Sequence, residues 1–232
     1  MNFLSVSRPL FLFVLLWTAP LFPQEQDPLR QSQQTAIAEI IKRSEDIKAV
    51  NQAIWKFAEV GLEEHHSSEL LVEKLSASGF SVKRGVSGMP TAFVASYGEG
   101  RPIIGILAEY DALPGMSQKT LPQREPLKPG AAGHACGHSG LGAGSLGAVL
   151  GLKAAMEKHQ IQGTIRLYGT PAEETVIGKV YMTLDGQFDD LDVCLHWHPS
   201  SKNRAWAGSS KALVSAKFTF DGTAAHASVS PH

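Results

Sequence analysis

Ile103-Ile104-Gly105-Ile106-Leu107-Ala108-Glu109-Tyr110-Asp111 is the stretch on which the fold turns. Its first six residues are apolar at every position rather than at every second one. A run this short and this continuous suits a strand buried on both faces, in the middle of a sheet covered by helices. Two acids, Glu109 and Asp111, follow at once. They stand where open α/β sheets gather their ligands, beyond the carboxyl end of a strand.

Outward from this strand, helix and strand alternate. Toward the N-terminus, Ile37, Ile40, Ile41, Ile47, Val50, Ile54 and Phe57 recur near helical spacing and predict a long amphipathic helix over residues 31–60, with room for a break. A second helix is expected over 66–78, stopped by Gly79. Short strands follow at 81–84 and 91–97. Toward the C-terminus, residues 112–134 form a long loop rich in Pro, Gly and polar residues, a length usually tied to function or disorder. A helix over 139–158 carries so many Gly and Ala residues that close packing on a neighbour is expected. A strand at 164–168, a helix at 177–184 and a strand at 191–195 complete the alternation. The fold class is therefore α/β, a layered sheet flanked by helices.

Beyond Ser209 the pattern changes. Ala212, Val214, Ala216, Phe218 and Phe220 alternate with polar residues over 211–221, which predicts a half-buried strand of a different sheet. A boundary is placed near Gly208, separating a domain over 27–208 from the start of a second one over 209–232. At the other end, Arg8 precedes an apolar run over residues 10–17 that is short for a bilayer span. Residues 1–26 are read as a secretory signal peptide, so the mature protein is expected to be secreted or periplasmic.

A hydrophobic share of 43%, a charged share of 19% and a net charge of −1 give no strong global field. This argues against nucleic acid and against a membrane surface, and leaves a small molecule as partner. The two cysteines, Cys136 and Cys194, are too few for a disulfide framework in 232 residues. Cys194 is expected to be a buried strand residue.

Four clusters carry chemistry. Glu109-Tyr110-Asp111 closes the apolar strand; alone, a solvated turn is its simplest reading. Cys136-Gly137-His138 places thiol and imidazole two residues apart, on one side of an extended segment, a pairing that suits zinc. The helix opening near Ser139 is expected to lower the thiol pKa, and His134 and its glycines add to a ligand reading over a helix-capping one. Glu173-Glu174 follows the strand at 164–168. Neighbouring carboxylates repel unless a cation separates their roles, so one can ligate while the other serves as base, although an acidic first helical turn is equally consistent. His196-Trp197-His198-Pro199 follows the strand at 191–195, and either imidazole could ligate. Each signal is modest alone; their convergence on one rim of the sheet points to a metal site.

Five stretches, Ile106 through Leu113, Gly133 through His138, Pro171-Ala172-Glu173-Glu174, Trp197-His198-Pro199 and Gly222 through Ala227, resemble the aminoacylase and carboxypeptidase-type metallopeptidase family, in its amidohydrolase branch of the aminobenzoyl-glutamate utilization type. The resemblance covers roughly residues 31–232. It implies a zinc-peptidase-like catalytic domain with two divalent metal ions, zinc or manganese, and an inserted α+β domain that forms a homodimer. It also implies Cys136, His138, Glu174 and His198 as metal ligands, with His196 as the alternative to His198. Glu173 is the implied general base, and Asp111 an acid that orients a ligand from behind. His226 is the implied oxyanion partner that reaches across the dimer. Family members are longer, so the remainder of the inserted domain and a last histidine ligand are expected beyond His232.

The expected reaction is hydrolysis of the amide of an N-acyl amino acid or a dipeptide-like substrate, with a metal-activated water as nucleophile and Glu173 carrying the proton. Two other readings stand beside it. One is a cysteine hydrolase with Cys136 as nucleophile and His138 as base, disfavoured because residues two apart rarely meet in that role. The other is an inactive fragment or a non-catalytic metal-binding module.

Overall fold

The computed structural model describes residues 27–175, 177–205, 208, 212, 214, 216–223, 225, 226, 228 and 229. Residues 1–26, the stretch expected to be a signal peptide, lie outside them. The chain divides into two compact units, residues 1–199 and 200–232.

In the first unit, the long N-terminal helix is two helices, α1 (Pro28–Lys42) and α2 (Ser44–Phe57), joined at Arg43. Asp27 caps α1 by accepting the Leu29 N–H at 3.0 Å, and Pro28 presets the first turn. The break divides the apolar stripe. Val50 and Ile54 of α2 reach the core, whereas Ile37 and Ile41 of α1 remain 55% and 67% exposed. Helix α3 (His65–Ala77) has no cap from the residue before it. Instead the Glu59 carboxylate accepts the N–H groups of His66 and Ser67, each at 2.9 Å, and satisfies two orphan donors of the first turn.

Five strands form one mixed sheet: β1 (Ser81–Arg84), β2 (Phe93–Glu99), β3 (Ile103–Ala108), β4 (Gly163–Gly169) and β5 (Val193–Leu195), in the order β1-β2-β4-β3-β5. The β1–β2 and β2–β4 pairs are antiparallel; β3 runs parallel to both β4 and β5. Helix α4 (His138–His159) connects β3 to β4, and α5 (Gly178–Leu184) lies between β4 and β5. The sheet's period of two divides its side chains between two cores. Phe93, Ala95, Ile106, Ala108, Ile165 and Leu167 pack with α2, α3 and α4, while Val94, Leu107 and Tyr168 pack with Met182, Phe188 and Leu191. The apolar run at Ile103–Ala108 is therefore the interior strand it was expected to be.

One expectation is corrected, and another falls partly outside the described residues. Cys194 lies in β5 as expected but is exposed, because β5 is the edge strand and its three residues face solvent. In the second unit, the strand expected over 211–221 is not seen. Lys211, Leu213 and Ser215 lie outside the described residues, and the others carry no ladder, with Val214, Phe218 and Phe220 80–95% exposed. A strand exists only through a partner that takes its backbone hydrogen bonds, and the described residues of this unit offer none. Among the described residues no helix is long and apolar enough to cross a membrane.

The glycines of α4 explain its close neighbours. A Cβ on Gly151 would stand 2.9 Å from the Ala36 carbonyl oxygen of α1, whereas one on Gly140 would meet only Asn51 Oδ1, at 3.9 Å. Backbone cannot yield as a side chain can. Gly151→Val should therefore lower unfolding stability by about 1–3 kcal/mol, and Gly140→Ala should leave it equal or raise it by up to about 1 kcal/mol. Urea unfolding of the two variants reads the difference; equal effects would mean that α1 does not lie on α4 as described.

Candidate metal centre

Because β3, β4 and β5 run parallel, their carboxyl ends share one edge of the sheet, and α4 begins there. Each strand delivers one cluster. Glu109-Tyr110-Asp111 leaves β3, Thr170 through Glu174 leaves β4, and His196-Trp197-His198 leaves β5. The turn after β4 is held to β3 by Thr170, whose N–H and hydroxyl both donate to the Ala108 carbonyl at 2.8 and 3.1 Å.

His138 is the centre of the arrangement and is wholly buried. Its Nδ1 lies 2.8 Å from Asp111 Oδ1, and the other Asp111 oxygen accepts the Glu174 N–H at 2.8 Å. Asp111 thus sits behind the imidazole and ties it to the loop that carries Glu173 and Glu174. On the other side, Nε2 faces three carboxylates: Glu109 Oε2 at 3.0 Å, Glu174 Oε1 at 3.9 Å and Glu173 Oε2 at 4.0 Å. Cys136 Sγ stands 3.3 Å from His198 Nε2, and the His138 and His198 rings meet edge-on with centroids 5.8 Å apart. Two triads able to hold a cation share His138: Cys136, His138 and His198, and Glu109, His138 and Glu173.

The residues fit a divalent cation. His138 Nε2, Glu109 Oε2 and Glu174 Oε1 are buried and lack a hydrogen-bond partner. Buried polar atoms seldom stay unsatisfied, and Glu109 Oε2 and Glu174 Oε1 lie 3.0 and 3.9 Å from His138 Nε2. Protonation tells the same story. Burial works against a charge on His138, but Asp111 and Glu109 outweigh it and push the imidazole up to about 10. Burial, then the neighbouring Glu174, pushes the Cys136 thiol up to about 12. This corrects the expectation of a thiol pKa lowered by the start of α4: burial, and after it the acids around Cys136, raise it instead. Burial, followed by the charge of Glu109, also raises Glu173. The site demands positive charge, and Lys179 together with the proton on His138 supplies part of it.

His196 and His198 point to one side of their extended segment and Trp197 to the other. The indole Nε1 donates to Ser145 Oγ at 3.1 Å, and its ring lies where a Cβ on Gly144 would stand 2.8 Å away. This anchors the segment to α4. His198 faces Cys136, while His196 Nε2 lies 3.3 Å from Glu109 Oε1. Lys179 of α5 binds the same Glu109 oxygen at 2.5 Å. Burial raises the Glu109 carboxyl, but His138, His196 and Lys179 outweigh it and hold it well below the usual range. His134 is pinned by Nε2 to the Ile54 carbonyl at 3.0 Å, and burial pulls it down to about 4. The first unit thus brings together Asp111, Cys136, His138, Glu173, Glu174 and His198. His226 belongs to the second unit, where its Nδ1 accepts the Ser228 N–H at 3.3 Å.

Glu64 is the residue that sequence reasoning missed. It is fully buried before α3, accepts the Ala172 N–H at 2.7 Å and accepts the Thr91 hydroxyl at 2.8 Å. Ala172 has φ of 58°, a left-handed conformation that costs a residue with a Cβ. Glu64 holds that conformation immediately before Glu173. Burial raises its carboxyl above the ordinary range. No local pattern marks Glu64; Glu63 and Glu64 read as surface acids.

Comparisons with known proteins agree with this geometry. The model of peptidase family M20/M25/M40 matches residues 105–227. Over 180 residues the chain is 42% identical to a subunit of the p-aminobenzoyl-glutamate hydrolase of Escherichia coli (strain K12), covering 77% of this chain and 37% of that one. It is 32% identical to the Xaa-Arg dipeptidase of Mus musculus, covering 74% and 39%. The chain therefore spans less than two fifths of these relatives' length. The fold matches that of the YXEP protein of Bacillus subtilis, described as a dinuclear metal-binding peptidase of the M20 family. The TM-score is 0.57 at 23% identity, over 67% of this chain and 42% of that one.

Around pH 8, His138 (about 10) and Cys136 (about 12) each keep a proton that a ligated cation must displace. Zinc binding should then release about two protons and weaken as pH falls. Calorimetry in buffers of different ionisation heat counts them, and release of none would exclude ligation by this pair. Glu64→Ala should weaken zinc about tenfold or more, and Glu64→Gln, which keeps an acceptor for Ala172, only a few-fold. Competition against a chromophoric chelator measures both.

Proposed function

Because the chain belongs to peptidase family M20/M25/M40, we propose that it forms the metal-binding part of a hydrolase. The bond it cuts is the amide of an N-acyl amino acid or dipeptide-like substrate, with compounds of the aminobenzoyl-glutamate type the first to test. The observation that carries this reading is the convergence of unsatisfied His138 Nε2, Glu109 Oε2 and Glu174 Oε1 beside the Cys136–His198 pair.

Cys136, His138, Glu174 and His198 hold the metal ions, two divalent cations of zinc or manganese. The 3.3 Å approach of His198 to Cys136 favours His198 over His196. Glu109, at the same edge, adds a carboxylate that the second triad uses. When bound, such ions polarise the scissile carbonyl and make water more acidic.

The chain's own groups do the rest. Asp111 keeps a proton on His138 Nδ1, so that Nε2 presents its lone pair. Glu173 is the more exposed of the paired acids, at 37% against 15% for Glu174, and is free to meet water and substrate. It takes the proton of the attacking water and returns it to the leaving nitrogen. The raised Glu173 carboxyl suits this exchange, because it binds a proton more readily than a solvated acid. Glu64 fixes the turn that aims it.

We further propose the division into a catalytic domain over 27–208 and the start of a dimerisation domain at 209–232. In a homodimer of the whole protein, His226 steadies the developing oxyanion of the partner's site. The apolar run after Arg8 supports a signal peptide over 1–26 and a secreted or periplasmic protein.

Glu173→Ala should cut hydrolysis of N-acyl-glutamate by a factor on the order of 100 to 10,000 while metal content is unchanged. Turnover close to that of the parent would remove Glu173 as the base. The Cys136–His198 contact also resembles the thiol–imidazole pair of a cysteine hydrolase, although a thiol pushed up to about 12 opposes that use. A chelator should therefore abolish hydrolysis and added zinc restore it; inactivation by a thiol reagent with metal retained and chelator without effect would favour the cysteine enzyme.

A further inference from the structure

The loop over residues 115–135 and the end of α2 enclose a cavity of about 840 Å³, within the range of small-molecule sites. Its charge is one-sided. Lys56, Lys119, Arg124 and Lys128 line it, and no Asp or Glu does. Lys119 is paired with Glu125, whereas among the described residues Lys56, Arg124 and Lys128 form no ion pair. Trp55 and Phe57 add two aromatic faces.

The loop is braced rather than slack. Leu113 and Gly133 exchange two backbone hydrogen bonds of 3.1 Å, Ser117 N–H donates to the Ala131 carbonyl at 2.9 Å, and Ser117 Oγ accepts the Lys128 N–H at 3.0 Å. Gly133 lies so close to Met116 that a Cβ would stand 2.3 Å from its carbonyl oxygen. His134, bonded to Ile54, ties the loop to α2. The bracing fixes the backbone that carries Lys119, Arg124 and Lys128.

The wall ends at His134 and Ala135, directly before Cys136. One or two residues of extended chain span only about 3–7 Å. The cavity wall and the metal centre are therefore neighbours along the chain. We propose that the cavity is a substrate subsite for an anionic arm that carries both a ring and a carboxylate. The ring lies on Trp55 and Phe57, and the carboxylate meets Arg124 and Lys128, with Arg124 able to bind it through two N–H groups. This assignment rests on the hydrolase reading for the word substrate; the anion site itself does not.

The test uses the zinc-loaded chain and two probes without an amide, isophthalate and the uncharged benzyl alcohol. Trp55 fluorescence reports binding, and Trp55→Phe identifies the signal. Arg124→Ala combined with Lys128→Ala should weaken isophthalate about tenfold and benzyl alcohol less than about twofold, with zinc content unchanged. In hydrolysis of N-(3-carboxybenzoyl)-glutamate, whose acyl arm carries both ring and carboxylate, the same pair of changes should raise KM about tenfold with kcat nearly constant. Unchanged isophthalate binding, or equal loss for both probes, would overturn the anion site. Altered probe binding with an unmoved KM would overturn its use by substrate. Absence of hydrolysis in the parent protein would instead count against the hydrolase reading, leaving the probe titrations to judge the cavity.

Discussion

A buried imidazole set between carboxylates is the constraint on which this structure depends. His138 is removed from water, yet Asp111 stands on its Nδ1 side and Glu109, Glu173 and Glu174 on its Nε2 side. Burying like charges together costs several kcal/mol unless opposite charge comes with them. A proton on His138 meets part of that demand, and a divalent cation meets it more fully, since it also satisfies the three orphaned atoms.

The rest of the architecture serves to hold those acids in place against their repulsion. Parallel pairing of β3 with β4 and β5 brings three loop origins to one edge. Hydrogen-bonded anchors then aim each loop: Thr170 on β3, Trp197 on Ser145 of α4, and Glu64 on the strained Ala172. Each anchor is a hydrogen bond to a distant part of the chain, so the site's precision is a property of the whole first unit.

Much of this was legible in the residues themselves. The uninterrupted run Ile103–Ala108 marked an interior strand because a strand covered on both faces needs no polar alternation. The Gly-rich stretch over 139–158 marked a closely packed helix, and the four clusters stood at ends of elements. Other features were not legible. Arg43 carries no sign that a helix breaks there, since it is a sound helix former. Cys194 sits in an apolar segment that reads as buried, and only the order of strands makes β5 an edge.

What the sequence determined by itself is therefore local: which residues prefer helix or strand, and which side chains can ligate metals or move protons. Those preferences follow from spacing and side-chain chemistry within a few residues. Tertiary structure alone decided that Asp111 stands on the Nδ1 side of His138, that His198 rather than His196 faces Cys136, and that Glu64 governs a turn 108 residues away. Those outcomes depend on distances between segments remote in the chain. They also reverse a local rule: a thiol next to a helix start is pushed up to about 12, because folding buries it and then sets acids, Glu174 first, beside it.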